Sequence, residues 1–456
     1  MTTFAWTAKQ VTEALGLAPA GWDHSYTGLS TDTRSLEEGQ LFVALKGERF
    51  DAHGFLSDAR LAGVGGVIVR KGTPRWPGFD WFEVDDTLAA LGRLARYRRD
   101  QFSGPVVAVT GTNGKTSTRE LIAAALGPKL TVHKSERNLN NLVGVPLTVL
   151  AAPLEAGAMV VECGANLRGE IPRMREIVRP DIAVVTNVGP GHLEGFGGPE
   201  NVLEEKVALL GGAPKAIVGL QPPELAEAAR RAAKSVVTAG EGAPADWTAE
   251  DVVLLGDGHP RFTVRGVPVE LALRGRHMVG NALIALAVAE ALGVPLEAAA
   301  PALQAARIPG GRSEMFEVDG VTVINDSYNA NPTSLRAALD LLASVRGDRR
   351  VVIVVGTMRE LGAASSDLHA AAADAVLAVK PDLVAAVGDF VPAFEALQDR
   401  IESKQLLLGD TPEAIAEPLK QRLRAGDVVL FKASRGVALE RIFPLLWPTL
   451  TAAEAH

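Results

Sequence analysis

Residues 106–116 read Val-Val-Ala-Val-Thr-Gly-Thr-Asn-Gly-Lys-Thr, and this segment decides the fold class of the 456-residue chain. An apolar run typical of a buried strand enters a turn with two glycines, and a helical pattern follows at 116–126. In such an arrangement the backbone N–H groups of the turn and the helix N-terminus can hold phosphate oxygens. The segment therefore predicts a phosphate-binding loop in an α/β domain.

The lysine and the threonine that end this segment indicate a nucleoside triphosphate and magnesium. Lys115 is placed to pair with the outer phosphates, and Thr116 is placed to bind the Mg²⁺ that bridges them. The match to the Walker pattern is incomplete, because that pattern has glycine where this chain has Val109. The competing interpretation is a glycine turn with an incidental lysine, and the strand and helix around the turn argue against it.

Apolar runs alternate with helical patterns on both sides of this loop. Runs at 158–162 and 181–188 follow it closely, and runs at 351–355, 383–387 and 428–431 come later. Strands that alternate with helices require crossover connections, which give mostly parallel sheets. The predicted fold class is therefore α/β, with a central P-loop-type sheet that has helices on both faces and a doubly wound C-terminal domain.

Two turns divide the chain into predicted domains. A helix at 87–99 leads to Ser-Gly-Pro at 103–105, and a helix at 296–306 ends just before Ile-Pro-Gly-Gly at 308–311. We expect three domains: a small N-terminal α/β domain at 1–103, a central ATPase domain at 104–309 and a C-terminal domain at 310–456.

The composition limits the partners and the compartment. The net charge is -8, so a general attraction to nucleic acid or to an anionic membrane surface is not expected. Cys163 is the only cysteine, which excludes an intramolecular disulfide and a cysteine-based zinc cluster. Neither a leader sequence nor a bilayer-spanning apolar run is recognisable, so we expect a cytoplasmic protein without a membrane span.

Two side chains at the ends of predicted strands are candidates for the metal site. Glu162 ends the run at 158–162, and His192 lies in the loop after the run at 181–188. Ligands of parallel sheets gather at the carboxyl ends of the strands, so both residues are expected on the phosphate-loop side. A loop histidine alone is more often solvated, but two such residues on neighbouring strand ends favour a site.

Lys206 shares the apolar face of a predicted helix. Its neighbours on that face are three or four residues away: Val202, Leu203, Leu209 and Leu210. One interpretation is that the stem packs on apolar surface while the amine reaches water. The other is that the amine has reacted with carbon dioxide to form a carbamate, which would be an anionic oxygen ligand for magnesium.

Polar side chains later in the chain are candidates for nucleotide contacts. Asn281 lies near the start of a helix that runs to Leu292, where capping is the competing interpretation. Arg312 is placed to stabilise charge on a transferred phosphoryl group, although an ordinary surface arginine would also fit. The segment Asn-Asp-Ser-Tyr-Asn-Ala-Asn-Pro at 325–332 is more polar than a helix cap requires, and a ribose or base contact would explain the excess.

Three stretches resemble the Mur ligase family of peptidoglycan assembly, and the resemblance spans essentially the whole chain. They are the loop at 110–116, the segment at 325–332, and Ser-Thr-Asp-Thr-Arg-Ser at 30–35 together with Leu-Phe-Val-Ala-Leu-Lys-Gly-Glu-Arg-Phe-Asp at 41–51. The loop is shared by all Mur ligases and by folylpolyglutamate synthetases, so it implies the reaction type only. The segment at 325–332 resembles the branch that adds D-alanyl-D-alanine to UDP-N-acetylmuramoyl-tripeptide. Asn-Leu-Asn-Asn at 138–141 resembles the family's substrate-side loop.

This resemblance implies an ATP- and Mg²⁺-dependent, ADP-forming peptide ligase that acts on these two small molecules through an acyl phosphate. The implied nucleotide contacts are Gly111, Thr112, Asn113, Gly114, Lys115, Thr116, Ser117, Asn281, Arg312, Asp326, Tyr328 and Asn329. The implied metal ligands are Thr116, Glu162, His192 and carbamylated Lys206, and the implied catalytic residues are Lys115, His192, Lys206 and Arg312. The substrate would be held by Ser30, Asp32, Arg34, Lys46, Asn138 and Asn141.

Two rival functions stay open at this point. One is a ligase of the same chemistry with another acceptor, such as an amino-acid-adding Mur ligase or a folylpolyglutamate synthetase. The other is a P-loop switch or NTPase that binds partners without ligation, although a guanine-reading Asn-Lys-x-Asp motif is missing. We expect the protein to be a monomer.

Overall fold

The computed structural model describes residues 4–47, 50–242, 244–308, 310–448 and 450. The chain forms two compact units. The first unit contains residues 1–109, 130–165 and 169–183, and the second contains residues 110–129, 166–168 and 184–456.

In chain order the strands are β1 (Trp6–Thr7), β2 (Ser25–Tyr26), β3 (Leu29–Ser30), β4 (Leu41–Val43), β5 (Gly66–Arg70), β6 (Asp80–Val84), β7 (Val106–Thr110), β8 (Val132–Lys134), β9 (Ala158–Glu162), β10 (Ile182–Val185), β11 (Lys215–Val218), β12 (Val236–Thr238), β13 (Glu250–Leu254), β14 (Pro260–Val264), β15 (Val267–Glu270), β16 (Glu314–Val318), β17 (Val321–Asp326), β18 (Val351–Gly356), β19 (Leu383–Val387), β20 (Leu406–Gly409) and β21 (Val428–Lys432).

The α-helices are α1 (Ala8–Leu15), α2 (Leu56–Leu61), α3 (Thr87–Gln101), α4 (Lys115–Leu126), α5 (Gly144–Leu150), α6 (Glu170–Val178), α7 (Leu193–Phe196), α8 (Pro199–Val207), α9 (Glu224–Ala232), α10 (His277–Ala291), α11 (Leu296–Ala302), α12 (Pro332–Val345), α13 (Ser365–Ala378), α14 (Phe390–Glu395), α15 (Pro412–Lys420) and α16 (Phe443–Leu446). None of these described helices is long and apolar enough to cross a bilayer.

The first unit carries a four-stranded parallel sheet in the order β3-β4-β5-β6. Phe42 pairs with Val67, which pairs in turn with Trp81. The apolar side chains of β4 and β5 are buried, as expected for strands that are covered on both faces. The loops that follow the neighbouring parallel strands β3 and β4 share one edge of the sheet, and they carry the predicted substrate residues at 30–34 and Lys46.

The same unit contains the parallel strands β7, β9 and β8, in which Val109 pairs with Glu162 and His133 pairs with Met159. The last residue of β7 and the second half of β10 belong to the second unit. There, β11 pairs with β12 in parallel, and the Gly219 N–H donates to the Val185 carbonyl oxygen of β10 at 2.9 Å. Helices α4 and α10 pack on each other, and β13, β14 and β15 form an antiparallel sheet.

The second unit also contains a six-stranded sheet in the order β16-β17-β21-β18-β19-β20. All neighbouring strands are parallel except β16 and β17, which form a hairpin at Asp319-Gly320. Both faces of the sheet are buried under apolar clusters that include α12 and α13 on one face and α15 and α16 on the other. This is the doubly wound arrangement that the sequence predicts, and the α/β fold class is confirmed.

Local sequence signals fix several element ends. Thr411 caps α15 by accepting from the Ala414 N–H, and Asp86 caps α3 by accepting from two N–H groups. The run at 181–188 gives a shorter strand than predicted, because β10 ends at Val185 and the next residues turn toward the phosphate loop. The predicted helix that carries Lys206 and the predicted helix at 296–306 both end in 3₁₀ turns.

Candidate active site

The predicted phosphate loop lies between β7 and α4, and two glycines give it its shape. Gly111 has φ +148°, and a Cβ there would lie 2.0 Å from the Thr186 hydroxyl oxygen, so no larger residue fits. Gly114 has φ +78° and directly precedes the first residue of α4, Lys115. The loop therefore presents the N-terminus of a twelve-residue helix, which is the end that attracts anions.

The residues after β10 hold the loop in this conformation. The Asn187 side chain accepts from the Asn113 N–H at 3.0 Å, and its amide donates to the Asn113 carbonyl oxygen at 3.0 Å. The Thr186 hydroxyl donates to the same carbonyl oxygen at 2.6 Å. The Thr112 N–H donates to the Asn187 carbonyl oxygen at 2.9 Å. These hydrogen bonds fix the shape of the loop.

The ammonium group of Lys115 folds back over the loop. It donates to the carbonyl oxygens of Gly111 at 2.9 Å and Thr112 at 3.1 Å. Thr116 and Ser117 are buried in the first turn of α4. A glycine turn, a helix N-terminus and a lysine at one place fit a polyphosphate, so the residues present suit the predicted nucleotide.

Asn281 lies against this loop from α10. A Cβ on Gly114 would lie 2.7 Å from Asn281 Oδ1, so glycine at 114 leaves room for the amide. The Asn281 side chain is buried and contacts the Met278 sulfur at 3.6 Å. Sequence reasoning placed Asn281 at the nucleotide, and the structure brings it to the phosphate loop.

A pair of amides joins the phosphate loop to the segment after β17. Asn331 Nδ2 donates to Asn113 Oδ1 at 2.7 Å, and Asn113 Nδ2 donates to Asn331 Oδ1 at 3.4 Å. Asn331 also caps α12 by accepting from the Ser334 N–H at 2.9 Å. The polar excess of the segment 325–332 is therefore explained in part by capping and in part by contact with the loop.

Asp326 forms an ion pair that the sequence analysis missed. Lys432 Nζ lies 2.7 Å from Asp326 Oδ2 and donates to the Asn329 carbonyl oxygen at 2.7 Å. Lys432 is only 2% exposed, so its charge depends on these partners. The sequence could have indicated Lys432, because it is a charged residue at the end of the apolar run at 428–431. Glu162 was selected as a candidate by the same pattern.

Two guanidinium groups lie next to the Tyr328 ring. Arg312 Cζ is 3.7 Å from the centre of the Tyr328 ring, and Arg435 Cζ is 5.8 Å from it. Arg312 thus lies beside the segment at 325–332, a contact that the sequence analysis did not predict. Arg435 was missed, although it follows the strand at 428–432 as His192 follows its own strand.

His192 adopts a strained backbone conformation, with φ +55°, that is uncommon outside glycine and is often found at functional sites. Its Nδ1 atom lies against the Glu360 carboxylate, and the hydrogen bond holds the pKa of the Glu360 carboxyl below its ordinary value. This contact leaves Nε2 of the imidazole for another partner. Glu360 was missed because it is 168 residues away in the sequence.

His369 fixes the loop that carries Glu360. Its Nε2 accepts from the Met358 N–H at 2.9 Å, and its Nδ1 lies 2.8 Å from the Ser365 carbonyl oxygen. These bonds require a neutral imidazole with the proton on Nδ1. Burial lowers the pKa of His369, which favours the same neutral form.

Lys206 is buried, with 1% of its surface exposed, so the interpretation in which its amine reaches water is wrong. Its Nζ atom lies 5.1 Å from the centre of the Phe196 ring. His192 also lies next to Phe196, with its ring centre 6.3 Å from that of Phe196. Lys206 and His192 therefore both contact one aromatic side chain.

The remaining predicted residues lie in the first unit. Glu162 is buried, and its Oε1 accepts from Asn140 Nδ2 at 2.8 Å. Asn141 accepts from two backbone N–H groups of its own turn, which is a capping role, and Asn138 lies in the same turn. Asn140 was missed as a partner of Glu162, although it stands within the quoted segment at 138–141.

The predicted substrate residues at the N-terminal sheet form a compact turn. Ser30 Oγ accepts from the Asp32 N–H at 3.2 Å, and Arg34 donates to both oxygens of Asp32. These hydrogen bonds lower the pKa of Asp32. Lys46 lies 3.8 Å from Asp51 on the neighbouring loop. The Arg34 side chain is 87% exposed and stays available to a ligand.

Within the part of the chain that the structure describes, no three His, Cys, Asp or Glu side chains come together as a metal-binding group. Of the predicted metal ligands, Thr116, His192 and Lys206 are in the second unit and Glu162 is in the first. Magnesium at nucleotide sites takes few protein ligands and completes its shell with phosphate and water oxygens. A few oxygen ligands, such as the Thr116 hydroxyl, are therefore enough at such a site.

Two family models match the chain: the Mur ligase middle domain at residues 109–289 and the Mur ligase glutamate ligase domain at residues 311–435. The UDP-N-acetylmuramoyl-tripeptide--D-alanyl-D-alanine ligase of Bacillus subtilis is 37% identical, over 91% of this chain and 92% of its own length. A crystal structure of MurF from Acinetobacter baumannii matches with a TM-score of 0.89 and 32% identity, covering 98% and 99% of the two chains. MurF ligase from Thermotoga maritima in complex with ADP matches with a TM-score of 0.81 and 30% identity, covering 92% and 96%.

Proposed function

The chain belongs to the Mur ligase family, and on this basis we propose that it joins D-alanyl-D-alanine to UDP-N-acetylmuramoyl-tripeptide in an ATP-dependent, ADP-forming reaction of peptidoglycan synthesis. One observation carries the proposal: the amide pair between Asn113 and Asn331. It brings the loop common to ATP-dependent ligases of this type against the segment that resembles the D-alanyl-D-alanine-adding branch. The reaction takes place in the cytoplasm, and the enzyme is a monomer.

The first step activates the peptide. A terminal carboxylate oxygen of the tripeptide attacks the γ-phosphorus of ATP, the bond from that phosphorus to the bridging oxygen breaks, and ADP leaves. Lys115 and Arg312 offset the negative charge that accumulates on the transferred group. The product of this step is an acyl phosphate.

The second step forms the amide bond. The unprotonated amine of D-alanyl-D-alanine attacks the carbonyl carbon of the acyl phosphate, and a tetrahedral intermediate forms. Its collapse expels inorganic phosphate, and the nitrogen loses one proton. Asn281 and Asn331 keep the phosphate loop in place through both steps, because Asn281 contacts it from α10 and Asn331 is hydrogen-bonded to Asn113.

Magnesium, when bound, supplies positive charge at the phosphates, and we assign Thr116, Glu162, His192 and Lys206 to hold it. Glu360 orients His192 through Nδ1, as carboxylates commonly do for metal-binding imidazoles. For Lys206 we assign the carbamate form. The ammonium group loses one proton, and the resulting amine adds carbon dioxide and loses a second proton, which replaces a buried cation with an anionic oxygen ligand.

Each predicted domain is assigned its own part of substrate binding. Residues 1–103 hold the UDP end of the substrate through Ser30, Asp32, Arg34 and Lys46, and the turn at 138–141 contacts the substrate in the central domain. Residues 310–456 complete the ATP site with Asp326, Tyr328 and Asn329 and bind the dipeptide. Because β3 and β4 are parallel neighbours, the loops after them lie at the same edge of the sheet, which supports the assignment of Ser30, Asp32, Arg34 and Lys46 to one binding site.

The test measures ADP release and product mass with UDP-N-acetylmuramoyl-tripeptide offered together with D-alanyl-D-alanine or with single amino acids. We expect sustained ADP release over many turnovers only when both the tripeptide and the dipeptide are present, and a product of their combined mass less one water. Activity with a single amino acid alone would favour another acceptor. Phosphate release that needs neither substrate would favour a P-loop NTPase.

A further inference from the structure

Three arginines gather at one edge of the C-terminal sheet. Arg359 follows β18 and Arg435 follows β21, and these neighbouring strands are parallel. Arg312 precedes β16, which is antiparallel to β17 and therefore begins at the same edge. The carboxyl edge of a doubly wound sheet is where ligands bind. Only Arg312 has a part in the mechanism above.

The loops that carry Arg359 and Arg435 are in direct contact. The Arg359 N–H donates to the Ser434 hydroxyl at 2.8 Å. The Arg359 guanidinium lies over Gly436, where a Cβ would come within 2.7 Å of Nη1. Glycine at 436 thus lets the guanidinium rest on the backbone next to Arg435. The two charged groups are held within one small surface.

The positive charge of this surface is only partly balanced. Arg435 Nη1 lies 3.1 Å from Glu440. The Arg359 guanidinium makes no ion pair with any carboxylate of the described residues, and both arginine side chains are exposed. The Glu360 carboxyl, whose pKa the Arg359 charge helps to lower, is itself paired with His192. Two neighbouring guanidinium groups whose nearby carboxylates are already engaged are suited to an anionic ligand, which they can bind with charge-assisted hydrogen bonds.

Besides ATP, the anion that the proposed function assigns to residues 310–456 is the carboxylate of the incoming dipeptide. The phosphates of ATP belong to the phosphate loop, and the UDP end belongs to the N-terminal domain. The carboxylate of the incoming dipeptide lies about 7 Å from the attacking amine in an extended dipeptide. We propose, resting on the function given above, that Arg359 and Arg435 bind this carboxylate and so position the amine for attack.

The experiment measures KM for D-alanyl-D-alanine and for ATP in Arg359→Gln and Arg435→Gln. Loss of a charge-assisted pair raises KM for the dipeptide by about 10- to 100-fold, while KM for ATP stays unchanged. The matched control is Arg424→Gln, because Arg424 is exposed and precedes β21 at the opposite edge of the sheet. This control keeps wild-type constants for both substrates.

The second measurement offers D-alanyl-D-alanine amide, which has no carboxylate. The wild type discriminates against this amide by a factor similar to the KM change of the variants, and the two variants lose that discrimination. Variants that keep the wild-type KM for the dipeptide, or keep the discrimination, overturn the carboxylate site while leaving the ligase function in place. A wild type that forms no product from the dipeptide overturns both.

Discussion

Lys115→Met lowers the rate of ADP formation by a factor on the order of 10²–10³ at saturating substrates, the cost of removing one group that stabilises charge in a transition state. The ammonium of Lys115 lies over the loop at the carbonyl oxygens of Gly111 and Thr112, at the N-terminus of α4. Methionine keeps the length and the apolar stem of the side chain but not its charge. The rate is measured by coupled ADP release.

The control for this variant is Lys129→Met. Lys129 follows the same helix, is exposed, and donates to the Gly293 carbonyl oxygen at 2.9 Å. Its replacement removes the same charge from the same part of the chain without touching the loop, so the rate stays at the wild-type level. Equal rates in Lys115→Met and Lys129→Met would show that the loop does not bind the transferred phosphate.

Lys206→Ala loses activity by about 100-fold or more, and short carboxylic acids such as formate or acetate restore part of it. The reason is that alanine leaves a buried space beside Phe196, which a carboxylate can enter to replace the oxygens of the carbamate. The measurement is ADP release as a function of added acid.

Lys206→Met is the matched control for the acid rescue. Methionine fills the space that alanine leaves, so this variant is inactive and stays inactive when acid is added. Carbon-13 NMR of the wild type equilibrated with labelled bicarbonate gives an independent readout, since the carbamate carbon gives a signal that Lys206→Ala lacks. Full activity of Lys206→Ala without acid, or absence of the signal in the wild type, would remove the carbamate.

The elements that sequence reasoning found are those with local causes. The strand, glycine turn and helix at 106–126 follow from a change of period around two glycines. The helix predicted at 87–99, which the structure has as α3, is likewise set by residues within a few positions of each other. Such features need no knowledge of the rest of the chain.

The contacts that sequence reasoning missed join distant parts of the chain. Lys432 meets Asp326 across 106 residues, and Asn113 meets Asn331 across 218. Their partners are chosen by the order of strands in the sheets, which periodicity does not reveal. The shortened β10 has the same kind of cause, because Thr186 leaves the strand to bind the phosphate loop.

For Lys206, the sequence predicts the position of the side chain, and the structure is needed to describe its surroundings. Its helical spacing predicted a position on an apolar face, and its burial confirms that position. The spacing did not decide between the two interpretations of the amine, because spacing alone does not show whether the end of the side chain is buried. Burial beside Phe196 decides against an amine in water, and the chemical form of the amine stays a prediction.

The central claim is that the peptide carboxylate is activated by phosphoryl transfer before the amide forms. Its most direct test uses a tripeptide substrate whose terminal carboxylate carries oxygen-18, with ATP and D-alanyl-D-alanine. The account predicts that each turnover moves one labelled oxygen into the released inorganic phosphate while the other stays in the new amide. Inorganic phosphate free of the label, formed together with the ligated product, would contradict it.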